Sequence, residues 1–279
     1  MVYSHSEDER ILRALQVIID DNFAKPILIG EEQLIHQQIK QFGLRIEQGK
    51  DFHIVAPNGD VVVQAAKMVE QGDADAALIG PDNNMFSQAE KIQSRIGIDE
   101  RLKSYAAMNM VILDDGVYFV ADTKIHDNPT AEELAIITEL AAEEVKRFGI
   151  KPRVALVSHT NYGGRVTESS KKIAKALELV RECCPEIEID GNIQTDIALN
   201  QGLRERQNPD STLKANANVL VMPNVDAANS GYKLLKELGN GIAVGPILLG
   251  TKKPVHLVGT SATSRGIVNL TALLSASVD

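Results

Sequence analysis

The sequence predicts an α/β fold with mostly parallel sheets, on three observations. Short apolar runs alternate with longer amphipathic segments, several of these runs end in glycine and a polar turn, and one tight hairpin signal is present. The 279 residues are 44% hydrophobic and 24% charged, a composition that excludes disorder and suits one large or two ordinary domains.

From the start, "EDERILRALQVIIDDNF" carries Ile11, Leu12, Leu15, Ile18 and Ile19 at helical spacing behind an acidic first turn. "KPILIG" is then a buried strand. "DVVVQAAKMVEQGDADAALIG" repeats the plan as helix, turn at Gly72 and strand. "YAAMNMVIL" and "GVYFVAD", joined by "DDG", form a hairpin that reads as an antiparallel element attached to the first sheet.

A second unit starts near "NPTAEELAIITELAAEEVKRFGI", where Thr130 and Glu133 form a capping-box pair and Gly149 follows Lys146 and Arg147. Strand "PRVALVSH", helix "SSKKIAKALELVRECC", strand "EIEIDG" and one short helix "TDIALNQGLRER" come next. "ANVLVMPNVDAANSGYKLLKELGN" adds strand, polar turn and helix, and "IAVGPILLG" and "KPVHLVG" are two more strands. Two α/β units sharing a cleft would place ligand-binding residues on the turns at strand carboxyl ends.

Charge and composition narrow the function. With 38 acids against 29 bases the net charge is -9, which disfavours nucleic acid as a partner and leaves room for a local anion pocket. Cys183 and Cys184 are adjacent, so they neither staple the fold nor offer metal-ligand spacing, and they read as thiols in a reducing cytoplasm. The opening "MVYSHSEDER" has no secretory pattern and no run is long enough for a bilayer, so no membrane partner and a cytoplasmic location are expected.

Two turns carry candidate chemistry. "SHTNYGGRV" offers His159, Asn161 and Arg165 after a strand; Arg165 is either a phosphate fork or a surface arginine. "MPNVDAANSGYK" gathers Asn229, Tyr232 and Lys233, a set that ordinary turn and cap chemistry explains only in part. His5, His53, His126, His159 and His256 are scattered without a metal-binding partner; of these only His159 sits in a candidate turn. No metal site, nucleophile elbow or dinucleotide glycine fingerprint is present.

"ANVLVMPNVDAANSGYKLLKEL", "AVGPILLGTKKPVHLV" and "IVNLTAL" resemble the carboxyl half of the phosphate acetyl- and butyryltransferase family. "EDERILRA", "KPILIG" and "GDADAALIGP" resemble its amino half. "GLRIEQGKDF", "SYAAMNMVIL", "YFVADTKIHDNPTAEELAIITELAAEEVKRFGI" and "SATSRGIVNLTAL" resemble the phosphotransacetylase-like carboxyl-terminal region of hybrid bacterial NADP-dependent malic enzymes. The chain is then expected to be a piece of a longer malic enzyme.

That resemblance implies two α/β domains of isocitrate/isopropylmalate dehydrogenase-like architecture with an interdomain cleft. Residues 1–129 with 248–279 would form the first, and 130–247 the second and dimerising one. It also implies acyl exchange between coenzyme A and phosphate, which needs a base, cations and oxyanion donors. The family's Ser-Arg pair falls on Gly259 and Thr260, its aspartate before "IVN" on Gly266, and a further arginine on Glu237. The amino half departs too, with "PDNNMFSQ" in place of the family's polar turn.

No catalytic residue is therefore assigned. The resemblance implies a regulatory module, inactive as a transferase, that binds acetyl-CoA as an allosteric inhibitor; the alternative is a working transferase with a rearranged site. The expected contacts are His159, Asn161, Arg165, Asn229, Tyr232, Lys233 and Arg265. No cofactor is expected within this region; NADP and a divalent metal belong to the malic enzyme catalytic domain of the same polypeptide. Thr263 or Ser264 would cap the last helix, with Ile267, Val268, Leu270 and Leu274 facing the first sheet.

Overall fold

The computed structural model describes residues 1–278. The chain divides into two compact units, Met1–Asp99 with Val244–Asp279, and Glu100–Ala243.

The first unit contains β1 (Val2–Tyr3), α1 (Glu9–Asp20), β2 (Ile27–Ile29), α2 (Glu32–Gln41), β3 (His53–Val55), α3 (Val61–Gln71), β4 (Ala77–Asp82) and α4 (Met85–Ile96). Asp8 caps α1 by accepting from Arg10 N at 2.8 Å. Ile11, Leu12, Leu15 and Ile18 are buried at the expected spacing, each contributing about 1.5–3 kcal/mol. Asp60 caps α3, and Gly72 ends it with a φ of 84°.

The second unit follows with β5 (Ala106–Leu113), β6 (Gly116–Ala121), α5 (Ala131–Arg147), β7 (Arg153–Val157), α6 (Glu168–Cys183), β8 (Glu188–Ile193), α7 (Thr195–Ala198), α8 (Gln201–Gln207), β9 (Val219–Val221) and α9 (Val225–Leu238). The chain ends in β10 (Ile242–Leu249), β11 (Val255–Gly259) and α10 (Ser264–Ala276). None of the helices described is long and apolar enough to cross a membrane.

One sheet has the order β11-β4-β1-β2-β3, with all its pairs parallel. Its central strand is the two-residue β1, wholly buried, and β11 and α10 complete this unit from the far end of the chain. The other sheet has the order β10-β5-β6-β9-β7-β8.

Three expectations need correction. The hairpin β5–β6 belongs to the second sheet, because β6 pairs parallel with β9; the compact units accordingly part at Asp99 and at Ala243, not at residues 129 and 247. "TDIALNQGLRER" is two helices: Asn200 is extended and its side chain caps α8 by accepting from Leu203 N at 3.0 Å. Arg204, fully buried, then donates to the carbonyls of Ile197 and Ala198 at 3.0 and 3.1 Å, satisfying the end of α7. In α10 the buried face is Ile267, Leu270, Thr271 and Leu274; Val268 is half-buried, and Thr271 hydrogen-bonds Tyr3 Oη at 3.0 Å.

Candidate ligand-binding site

The parallel trio β6, β9 and β7 sets the geometry of the second unit. Val120, Leu220 and Ala155 share one face of the sheet and pack with Tyr232 and Ala228 of α9. Residues one step away alternate to the other face. There Phe119 stacks on Phe148 at the end of α5, with ring centroids 5.9 Å apart. The chain leaving β9 thus goes to one face, and the chain leaving its neighbour β6 goes to the other. Such divergence at strand carboxyl ends opens a crevice, the usual ligand position in α/β sheets.

Asp122, the residue after β6, organises its side of that crevice. Its buried carboxylate accepts from the backbone N of Ala107, Lys124, Ile125 and His126 at 3.0–3.1 Å. The same carboxylate faces His126 Nδ1 at 2.6 Å, and His126 Nε2 faces Ser104 Oγ at 3.3 Å. Lys172 from α6 donates to Asn128 Oδ1 at 2.6 Å and Pro223 O at 2.8 Å, joining the turns after β6 and β9. Burial holds its ammonium below the usual lysine pKa, against the opposing pull of Glu133.

The sequence singled out neither Asp122 nor Lys124, and it marked His126 only as one of several scattered histidines. Their only local signal was the polar cluster "ADTKIHDN" directly after a strand.

The expected contacts on α9 separate. Asn229 donates from Nδ2 to Thr123 O at 3.1 Å, tying the helix to the turn after β6. Lys233, one turn later, is exposed. Tyr232 is only 8% exposed and lies in the core, where burial raises its phenol pKa. The helix phase explains the difference: Ala228, Tyr232 and Leu235 lie on the sheet-facing stripe, and Asn229 and Lys233 on a flank.

In the turn after β7, Asn161 donates to Gln194 Oε1 at 2.7 Å and accepts from Gln194 N at 2.7 Å, so its amide fastens the turn to the start of α7. Arg165 N donates to Thr160 Oγ1 at 2.9 Å, whereas its guanidinium is exposed and makes no hydrogen bond or ion pair among the described residues. His159 is exposed and lines a cavity of about 700 Å³ with Val157, Leu220, Met222 and α9 residues such as Gly231 and Leu234. Ser158 also lines it, and its buried Oγ lacks a hydrogen-bond partner.

Arg265 belongs to the first unit, in the first turn of α10, where its side chain is exposed. The turn before it is occupied by structural bonds. Arg10 donates to the carbonyls of Thr260 and Ala262, Thr260 Oγ1 donates to Asn83 Oδ1 at 2.9 Å, and Thr263 Oγ1 caps α10 by accepting from Gly266 N at 3.1 Å. A Cβ on Gly259 would meet Met85 Sδ at 3.5 Å, and one on Gly266 would meet Thr263 Oγ1 at 3.6 Å, both ordinary contacts. Sterics therefore does not explain glycine at either position. Glu237 is exposed and pairs with Lys236 at 2.9 Å.

Elsewhere, Cys183 Sγ and Cys184 Sγ lie 3.0 Å apart with Glu139 within 4.8 Å, a grouping that sequence spacing did not disclose because Glu139 comes from α5. Arg101 already donates to both oxygens of Glu139, at 2.9 and 2.7 Å. Burial pushes the Cys184 thiol up to about 12, which keeps it protonated at neutral pH.

The mostly parallel sheets, with a cavity of about 700 Å³ and polar turns after the strands of the second unit, define an α/β protein. Residues 53–275 match the Phosphate acetyl/butaryl transferase family, and the chain belongs to that family. It is 40% identical to an NAD-dependent malic enzyme of Rhizobium meliloti and 40% identical to an NADP-dependent malic enzyme of Escherichia coli. Each match covers 98% of this chain and 40% of the relative, so the chain spans well under half the length of those enzymes. A phosphate acetyltransferase of Bacillus subtilis is 30% identical over 99% of this chain and 94% of its own. In fold the chain matches a phosphotransacetylase from Streptococcus pyogenes with a TM-score of 0.90, at 24% identity and over 100% of this chain and 93% of that one.

Proposed function

We propose that this chain is the regulatory and oligomerisation region of a cytoplasmic malic enzyme, binds acetyl-CoA, and has lost phosphate acetyltransferase activity. The observation that carries the reading is the turn 259–266. The hydroxyls of Thr260 and Thr263 and the carbonyls of Thr260 and Ala262 are engaged in capping and in bonds to Asn83 and Arg10, and Gly259, Thr260 and Gly266 supply neither the family's Ser-Arg pair nor its carboxylate. Loss of a general base alone removes about a hundredfold or more of rate, before the missing phosphate cations are considered.

The second unit keeps the means to hold a ligand. Its cavity of about 700 Å³ suits the apolar arm of a thioester, Ser158 Oγ offers an unused polar group, and Arg165 offers a free guanidinium. Acetyl-CoA is a product downstream of pyruvate. Its binding would report on catalysis in a separate malic enzyme domain of the same polypeptide, with NADP and a divalent metal confined to that domain. A coupling of about 1–3 kcal/mol between ligand and protein state suffices for feedback inhibition.

Leu234 and Leu238 are 58% and 83% exposed on α9 and also line the apolar cavity, which supports dimerisation through this unit.

Acetyl phosphate plus coenzyme A, followed by thioester absorbance, is the test. No turnover is expected; turnover of about ten per second would establish the alternative, an active phosphate acyltransferase. That alternative is favoured by the family match over residues 53–275 and by the ordinary packing space at Gly259 and Gly266.

A further inference from the structure

We propose that Cys183 and Cys184, with Glu139, form a site for a thiophilic divalent cation of the zinc and cadmium class at the end of α6. The two sulfurs lie 3.0 Å apart, and one donor atom from each of the three residues lies within 4.8 Å of the others. Neighbouring side chains of a regular helix point about 100° apart, so adjacent cysteines do not ordinarily converge. Here Cys183 is the last residue of α6 and Cys184 is its C-cap, with φ -136° and ψ 61°. That departure from helical geometry swings the second thiol to the side of the first. Glu139 reaches them from α5, which packs along α6 in the same compact unit.

The donor set selects the ion. Two sulfurs and one carboxylate oxygen suit zinc or the softer cadmium, whereas magnesium, calcium and manganese take shells of oxygen. Cys183 is exposed, so water can complete the coordination. Zinc–thiolate bonds of about 2.3 Å at tetrahedral angles set two sulfurs about 3.7 Å apart, and a small rotation about χ1 of the exposed Cys183 provides that spacing.

Charge fits as well. Two thiolates, one carboxylate and a dication sum to one negative charge, which the guanidinium of Arg101 cancels. Arg101 donates to both oxygens of Glu139 at 2.9 and 2.7 Å, and a carboxylate so held keeps lone pairs for a metal while its orientation is fixed from behind. The carboxyl end of α6 adds the negative end of a helix dipole.

Burial first, then the contact with Cys183 and the charges of Glu139 and Glu186, disfavour a bare thiolate at Cys184. A dication offsets the charge part of that cost. On binding, each S–H bond is exchanged for a sulfur–metal bond and the two protons pass to water, with no change of oxidation state. None of the three residues lines the apolar cavity, so the site stands or falls independently of acetyl-CoA binding.

Titration of the chain with cadmium and with zinc, under a phosphine reductant that keeps both thiols reduced, tests the site. Cadmium should bring up the ultraviolet absorbance of cadmium–thiolate bonds, saturating at one ion per chain. Zinc should displace it and raise the melting temperature, and magnesium should do neither. Cys183→Ser and Cys184→Ser should each lower affinity more than about a hundredfold, and Glu139→Gln about tenfold with the thiolate absorbance retained. Glu182→Gln, which neutralises an exposed acid next to the pair, should leave affinity unchanged. Melts without added metal check that each variant is folded.

Absence of thiolate absorbance at micromolar cadmium overturns the inference, as does binding that survives in the folded Cys184→Ser variant. Saturation at one ion per two chains would assign the cysteines to a bridge between molecules and equally overturn it. Affinity unchanged by Glu139→Gln, or lowered as much by Glu182→Gln, would contradict the three-residue site.

Discussion

The turn after β6 and the turn before α10 begin alike, as polar clusters that follow a buried strand, and the structure uses them in opposite ways. At 259–266 the threonines and carbonyls close inward, since Thr263 caps the helix, Thr260 bonds Asn83 and Arg10 covers the carbonyls, and the exposed side chains of Ser261 and Arg265 stay out of these bonds. At 122–130 the carboxylate of Asp122 satisfies the backbone by itself, and the side chain of Lys124 is left over. The difference teaches that a ligand site is marked less by how many polar residues cluster than by which of them remain unspent after the backbone is satisfied.

The largest test of this contrast removes the organiser. Asp122→Ala would strand three amides of its own loop, the amide of Ala107 and His126, at a cost of about 3–5 kcal/mol in urea unfolding. A cost below about 1 kcal/mol would mean that the turn after β6 does not depend on its carboxylate.

The strand leading to the other turn has its own sensitivity. His256 in β11 is buried, accepts from Leu248 N at 3.3 Å, and has its pKa lowered to about 4 by burial. An imidazole with a depressed pKa is neutral in the fold and takes up its proton more readily in the unfolded chain. Its contribution is therefore complete above about pH 6.5 and is lost as pH falls toward 4, amounting to about 3 kcal/mol over that window. Urea midpoints measured across the window should fall with acid, and less steeply in His256→Asn. A profile unchanged by that substitution would place the acid sensitivity elsewhere, with His5, whose pKa burial also lowers, as the next group to replace.

Smallest of the three, Thr263→Ala should cost about 1 kcal/mol, the usual loss for a helix N-cap, without affecting ligand binding. A change in acetyl-CoA affinity would instead mean that the turn 259–266 still meets the ligand.

Local chemistry was largely legible in the sequence. The Thr130 and Glu133 capping box, the helical stripe of α1, the two-residue hairpin turn and the Thr263 cap all rest on neighbours within a few residues. The sheet to which the hairpin belongs was not legible, because β6 pairs with a strand almost a hundred residues later. Tyr232 could have been assigned to the core, since Ala228, Tyr232 and Leu235 already show the sheet-facing spacing, but its place beside Asn229 and Lys233 suggested a shared role. Asp122 could not, because an aspartate after a strand reads as a turn residue until the fold delivers Ala107 and His126 to it.

The most direct test of the central claim is a calorimetric titration of acetyl-CoA into the chain, repeated with Arg165→Ala and Arg265→Ala. Saturable binding to the parent, weakened by loss of Arg165, is the predicted result; absence of binding at millimolar acetyl-CoA would contradict the claim that the chain retains a ligand site after losing its chemistry.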